Sequence, residues 1–307
     1  MGALDLPAAI AVALGIPAPS AGASVGTGAA ANAGVLGPWP SEPFEQGLPR
    51  LSGQVAVKSA RLKLTPKLAA RDVRAVIRFG ESELALQAVD GSIAGGRLGA
   101  ELTLSRRPEG LAARASVQLA GVNAAELLPG DGLVTGKLTL DAAAEGTGMS
   151  AVALMGSLAG SGTFKLENGR VVRLDPAAFD TVMRAVDQGL PIDVTRVRDR
   201  MDAALASGVL SVALAEGAIT INAGQARLSD VTVRAQRADL AVSGSVNLAD
   251  AALEGRLTLF GMGGASAPPD TRPEITIALK GPVDTPKRSI DVAALASWLA
   301  LRAMSAP

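Results

Sequence analysis

The chain has 307 residues with 29 basic and 29 acidic side chains, and its zero formal net charge excludes the basic footprint of a nucleic-acid binder. It contains no Cys, His or Tyr, so it has no thiol nucleophile, no imidazole base, no disulfide and no zinc site of the usual N/S type. Aromatics make up only 2% of the residues while Gly reaches 35, which points to a thin, sheet-like body lined by Val, Leu, Ile and Ala.

The length suits one large or two average domains. Residues 3–17 form an apolar run shorter than the ~20 residues of a membrane span, interrupted by Asp5 and Pro7. No basic residue precedes its apolar part, so a signal peptide is not expected either. From Pro17 to Pro38 the composition turns to Ala, Gly, Ser and Pro. Residues 1–38 are therefore expected to be a disordered linker, with one β-rich domain over residues 39–307.

After a Pro-punctuated lead (Trp39–Pro49), strand-like pieces follow at Leu51–Leu64, Val73–Phe79, Glu83–Val89, Asp90–Leu104, Leu111–Leu119 and Gly136–Leu140. The Gly95-Gly96 pair suits a tight turn or a bulge, and Asn123 an N-cap for one helical turn over Asn123–Leu128. Asn168-Gly169, flanked by alternating segments, predicts a hairpin. Asp175-Pro176 predicts a helix start, with Phe179, Val182, Met183 and Val186 at helical spacing. A second helix over Thr195–Ala206 has Val197, Met201 and Leu205 on one stripe. From Gly208 to Leu279 the alternation resumes with turns at roughly 8–12-residue spacing, broken by the loop Gly261–Pro273. Asp291 then caps an Ala/Leu-rich helix reaching about Met304.

The charged run Arg196–Asp202 reads as the solvated face of its helix. Gly95-Gly96 and Gly160–Gly162 lack the residues and strand–helix context of phosphate loops and read as turn glycines. Acidic residues show no close pair of the kind glycoside hydrolysis needs, and no G-x-S-x-G elbow is present. No catalytic residue, metal ligand or cofactor site is predicted.

Two stretches carry a resemblance. The first is GSLAGSGTFKLENG (Gly156–Gly169), a G-x-L-x-G-x-G pattern running into alternating strand residues. The second is the turn Gly281-Pro282-Val283-Asp284-Thr285-Pro286, followed by Lys287-Arg288 and the Asp291-capped helix. Together they resemble the C-terminal region of the AsmA family, related to TamB-type envelope proteins, over roughly Trp39 to the end. The resemblance implies an elongated, incompletely closed β-trough in the periplasm, tethered to the inner membrane by an N-terminal helix. It also implies phospholipid and envelope proteins as partners, a part in outer-membrane biogenesis, and no enzymatic activity. The family's N-terminal anchor and first domain are not recognisable here, so the chain is expected to be a fragment, a shortened gene product or a mis-started reading frame.

The expected fold is thus mainly β: an elongated antiparallel sheet or open trough, with a two-helix insertion at about 176–206 and a C-terminal helix at about 291–304. The candidate lipid-facing residues are Leu240, Val242, Val246, Leu248, Leu257, Leu259, Ile275, Ile277 and Leu279. The same face could instead pack on the helices Pro176–Gln188 and Thr195–Ala206, or on a second sheet. The rival readings are a structural β-sandwich or solenoid scaffold without a groove, and a carboxylate-based glycan-processing β-fold.

Overall fold

The computed structural model describes residues 4–5, 39–44, 52–64, 68–128, 132–235, 237–262 and 271–305. Fourteen strands form one open sheet in sequence order. They are β1 (Leu4–Asp5), β2 (Gly53–Lys63), β3 (Ala69–Phe79), β4 (Glu83–Ile93), β5 (Gly96–Arg107), β6 (Gly110–Asn123) and β7 (Val134–Gly148), then β8 (Ala159–Val172), β9 (Val209–Asn222), β10 (Gln225–Arg234), β11 (Ala238–Asn247), β12 (Ala252–Gly261), β13 (Glu274–Pro282) and β14 (Lys287–Asp291). All neighbours pair antiparallel except β1, which lies parallel to β2 through Leu4–Leu62 and Asp5–Lys63. Residues 6–38, most of the expected linker, and the loop Gly263–Pro269 lie outside the described residues, and no second sheet occurs among those described.

Short turns join several of the neighbouring strands. Ala94-Gly95 (φ 46° and 75°) and Ala223-Gly224 (φ 48° and 69°) are two-residue loops with both residues left-handed, the geometry whose twist matches that of flanking strands. Asn168-Gly169, expected as a hairpin turn, instead lies inside β8 as a bulge. Lys137 pairs with Glu167 while Thr135 pairs with Arg170, and the extra residue is taken up with Asn168 at φ 51°. Asn tolerates that left-handed conformation as readily in a bulge as in a turn, so the dipeptide alone could not choose between them. Similar register shifts place an extra residue in β3, β4, β6 and β10. Each bulge bends its strand and locally increases the twist of the open sheet.

Five helices cover parts of the inner face: α1 (Ala124–Leu127), α2 (Ala151–Ser157), α3 (Ala178–Asp187), α4 (Val194–Ala206) and α5 (Ala293–Ser305). Asn123 caps α1 through Ala125 N–H at 3.2 Å, and Asp291 accepts from Ala293 N–H at 2.9 Å at the start of α5. The start of α3 differs from expectation. Asp175 closes a tight turn, its side chain accepting from Ala177 N–H and its carbonyl from Ala178 N–H, and the helix begins only at Ala178. On α4 the stripe Val197, Met201, Leu205 is fully buried, while its charged side is exposed and joins the sheet through Asp202–Arg288 at 2.9 Å.

Three apolar clusters result. The largest joins α3, α4 and α5 to Leu210, Val212, Val231, Val233, Leu240, Leu259, Ile275 and Ile277. A second gathers Leu62, Ala70, Val73, Val89, Ile93, Leu98, Leu119, Val122 and Leu138 around α1. The third packs Phe44, with Trp39 beside it, on Leu104, Leu111 and Ala151.

Candidate functional site

Directly paired residues of neighbouring strands share a face. One ladder can be followed strand by strand from β2 to β13: Val55, Ile77, Leu86, Leu102, Ala115, Ala144, Gly160, Ile221, Ala226, Val246, Leu253, Gly281. Every position is apolar or Gly, and all are half-buried except the exposed terminal Val55. Twelve strands at the usual spacing make this row about 50 Å long. A second row runs beside it through Val89, Ala100, Val117, Ala142, Gly162, Ile219, Leu228, Gly244, Gly255 and Leu279, and ends at Arg288. The positions between them face the other way: Glu101, Ser116, Ala143, Ser161, Thr220, Arg227, Ser245, Glu254, Lys280. The sheet therefore has one apolar and one polar face over nearly its whole length.

Two lips bound the apolar rows. Along one, α1 sits by β6 and β7, and α3, α4 and α5 cover strand ends from β8 to β14. Gly261 admits this cover, since a Cβ there would fall within 2.6 Å of the Phe179 ring. Along the other lip lies α2, seated so closely on Gly148 that a Cβ there would overlap Leu154 N. The segment Trp39–Phe44 runs beside α2. Trp39 Nε1 donates to the Leu248 carbonyl at 2.9 Å, and Phe44 lies over Leu104 and Leu111.

The nine residues expected to face lipid divide between floor and cover. Leu240, Leu259, Ile275 and Ile277 are buried in the helical cluster, each at most 3% exposed, so the chain's own helices occupy that part of the face. Val242 and Leu257 are half-buried against the same cluster. Val246 belongs to the first row and Leu279 to the second, both half-buried. Leu248 lies just past β11, at the lip where Trp39 docks. The larger share of both rows comes from strands before β10, with Ile77, Leu86, Leu102, Ile219 and Ile221 the bulkiest members. Alternation in those strands signals a two-faced sheet, but only the pairing register aligns them with Val246.

The polar face carries ion pairs and a hollow of about 690 Å³ lined by Glu83, Thr103, Ser105, Arg114, Glu145, Thr147 and Ser157, among others. Glu83 on β4 and Glu145 on β7 stand three strands apart, roughly 14 Å from strand spacing, beyond the ~5–9.5 Å that glycoside hydrolysis uses. Glu145 is also held by Arg114 at 2.6 Å. Among the described residues no group of three or more carboxylates is placed to hold a metal. The hydrogen bond to Glu167 raises the pKa of Lys165 above its ordinary value, and that from Arg302 lowers the pKa of Asp187. Both are surface pairs far from any reactive arrangement. No described helix is long and apolar enough to cross a membrane.

A family model described as the AsmA family matches residues 11–231 of the 307. The match starts inside the stretch expected to be a linker and stops ahead of the closing Gly281–Pro286 turn. No curated protein and no solved structure matches the chain. The single open sheet and the matched span agree with each other: this chain belongs to the AsmA family, a family associated with the cell envelope.

Proposed function

We propose that the protein is a non-catalytic periplasmic component of the envelope whose trough shelters the acyl chains of phospholipid, as part of outer-membrane biogenesis. The observation that carries this reading is the unbroken apolar ladder from Val55 to Gly281, half-buried from Ile77 onward and backed by a polar face. An acyl chain laid along it leaves water at ~0.8 kcal/mol per buried CH₂, and no charged side chain of the first row interrupts it. Compared with the sequence-derived site, the contact surface moves away from Leu240, Leu259, Ile275 and Ile277 and toward Leu102, Ile219, Ile221, Val246 and Leu279.

Ile221→Asp on β9 provides the test, with Thr220→Asp, one residue away on the polar face, as its control. The fluorescence of dansyl-labelled undecanoic acid should rise on mixing with wild type and with Thr220→Asp, and fall at least tenfold in affinity with Ile221→Asp. Equal uptake by the two variants, or protein that neither binds the probe nor yields lipid on extraction, would leave a scaffold without a groove as the better reading.

A further inference from the structure

The segment Trp39–Phe44 is unlike the rest of the trough. The chain has two Trp and five Phe, and these six residues hold one of each. The segment belongs to no strand of the sheet. Among the described residues its hydrogen-bonded attachments are a bridge between Pro43 and Ser150, Phe44 N–H to the Met149 carbonyl at 2.8 Å, Val152 N–H to the Pro40 carbonyl at 3.1 Å, and the Trp39 indole on the Leu248 carbonyl. Pro40 and Pro43 have no N–H to add to these. Beneath it lie Leu84, Leu102, Leu104, Leu111 and Ala113, all on the apolar face, and Leu102 is itself a member of the first row. The segment thus crosses the lip from β5 and β6 to the β11–β12 turn, and its two aromatic side chains cover floor continuous with the trough.

We propose that Trp39–Phe44 is a displaceable strap, and that the apolar floor under it on β4 to β6 is an acyl subsite of the trough, covered by the chain's own aromatic side chains until an acyl chain takes their place. This rests on the trough reading above. The exchange is chemically even: apolar side chains leave, an apolar chain enters, and the leucines beneath stay out of water throughout. Lifting the strap breaks few backbone hydrogen bonds and unpairs no strand of the sheet, so the floor keeps its shape.

The absence of cysteine gives a clean test. Pro43 and Ser150 face each other across an antiparallel bridge, where Cα atoms stand ~4.5–5.5 Å apart, within the span of a disulfide. In the full chain carrying Pro43→Cys and Ser150→Cys, oxidation should lower affinity for dansyl-labelled undecanoic acid at least fivefold, and reductant should restore it in the same sample. Trp39→Ala, which removes the indole without touching the floor, should raise affinity above wild type. Equal binding by oxidised and reduced forms, with binding still abolished by Ile221→Asp, overturns the strap while leaving the trough intact. No binding by any form, Trp39→Ala included, overturns both.

Discussion

At the scale of single residues, what lies over a position matters more than which face it is on. Leu259 and Leu279 sit on the same apolar face of adjacent strands, yet Leu259 is fully buried against the helices and Leu279 only half-buried. Truncating a side chain surrounded on all sides removes its transfer energy and leaves a cavity, whereas truncation at an open floor leaves no enclosed void. Leu259→Ala is therefore expected to cost about 2–5 kcal/mol in urea denaturation. Leu279→Ala should cost less than half of that, because part of its surface meets solvent already. Equal costs would mean that the second row is covered in solution as fully as the helical cluster.

At the scale of elements, α2 shows how glycine placement sets a lip. Gly148 lies under the helix where any Cβ would overlap the Leu154 backbone, while Gly156, inside the helix, has nothing within 4 Å of its Cβ position. The same substitution should then have opposite signs. Gly148→Ala must push α2 off the sheet, at about 1–3 kcal/mol for an overpacked contact. Gly156→Ala replaces the poorest helix former short of proline with the best and should add up to ~1 kcal/mol. Thermal denaturation followed by Trp39 fluorescence reads both, since the strap bonds to Met149 and Val152 at the helix start. Much of this element layer was legible in the chain. The helical stripes Phe179, Val182, Met183 and Val197, Met201, Leu205 set the insertion, Asn123 and Asp291 set two caps, and alternation set the strands. What alternation lacks is register and cover. Asn168-Gly169 serves a bulge as well as a turn, and Leu240 and Val246 share a parity although helices cover only the first. The bulges of β3 and β4 left no usable signal, because Asp72 or Ala88 at positive φ looks like any other strand residue in sequence.

At the scale of the molecule, the topology is nearly one-dimensional. Each strand pairs only with its neighbours in sequence, as in repeat proteins, where stability is a sum of local terms and nearest-neighbour contacts. The side-chain cores follow the same division, the helical cluster toward β14 and the α1 cluster toward β2. Among the described residues Phe164 on β8 packs against both. Its partner across the strand pair is Gly217, where a Cβ would fall within 3 Å of both the Phe164 ring and Val231, so the missing side chain is what admits the ring between the two halves. If that ring couples them, Phe164→Ala should cost cooperativity more than it costs either half. The chain's two tryptophans report on different regions: Trp298, 4% exposed and bonded to Thr271, on the helical cluster, and Trp39 on the third cluster, which packs on β4 to β6 beside the α1 cluster. Read separately through Trp39→Phe and Trp298→Phe backgrounds, the two urea midpoints should coincide in the otherwise native chain and separate once Phe164 is replaced. Midpoints that stay together after Phe164→Ala would place the coupling in the backbone ladder from β7 to β9 or in the strap that ties β5 and β6 to the β11–β12 turn.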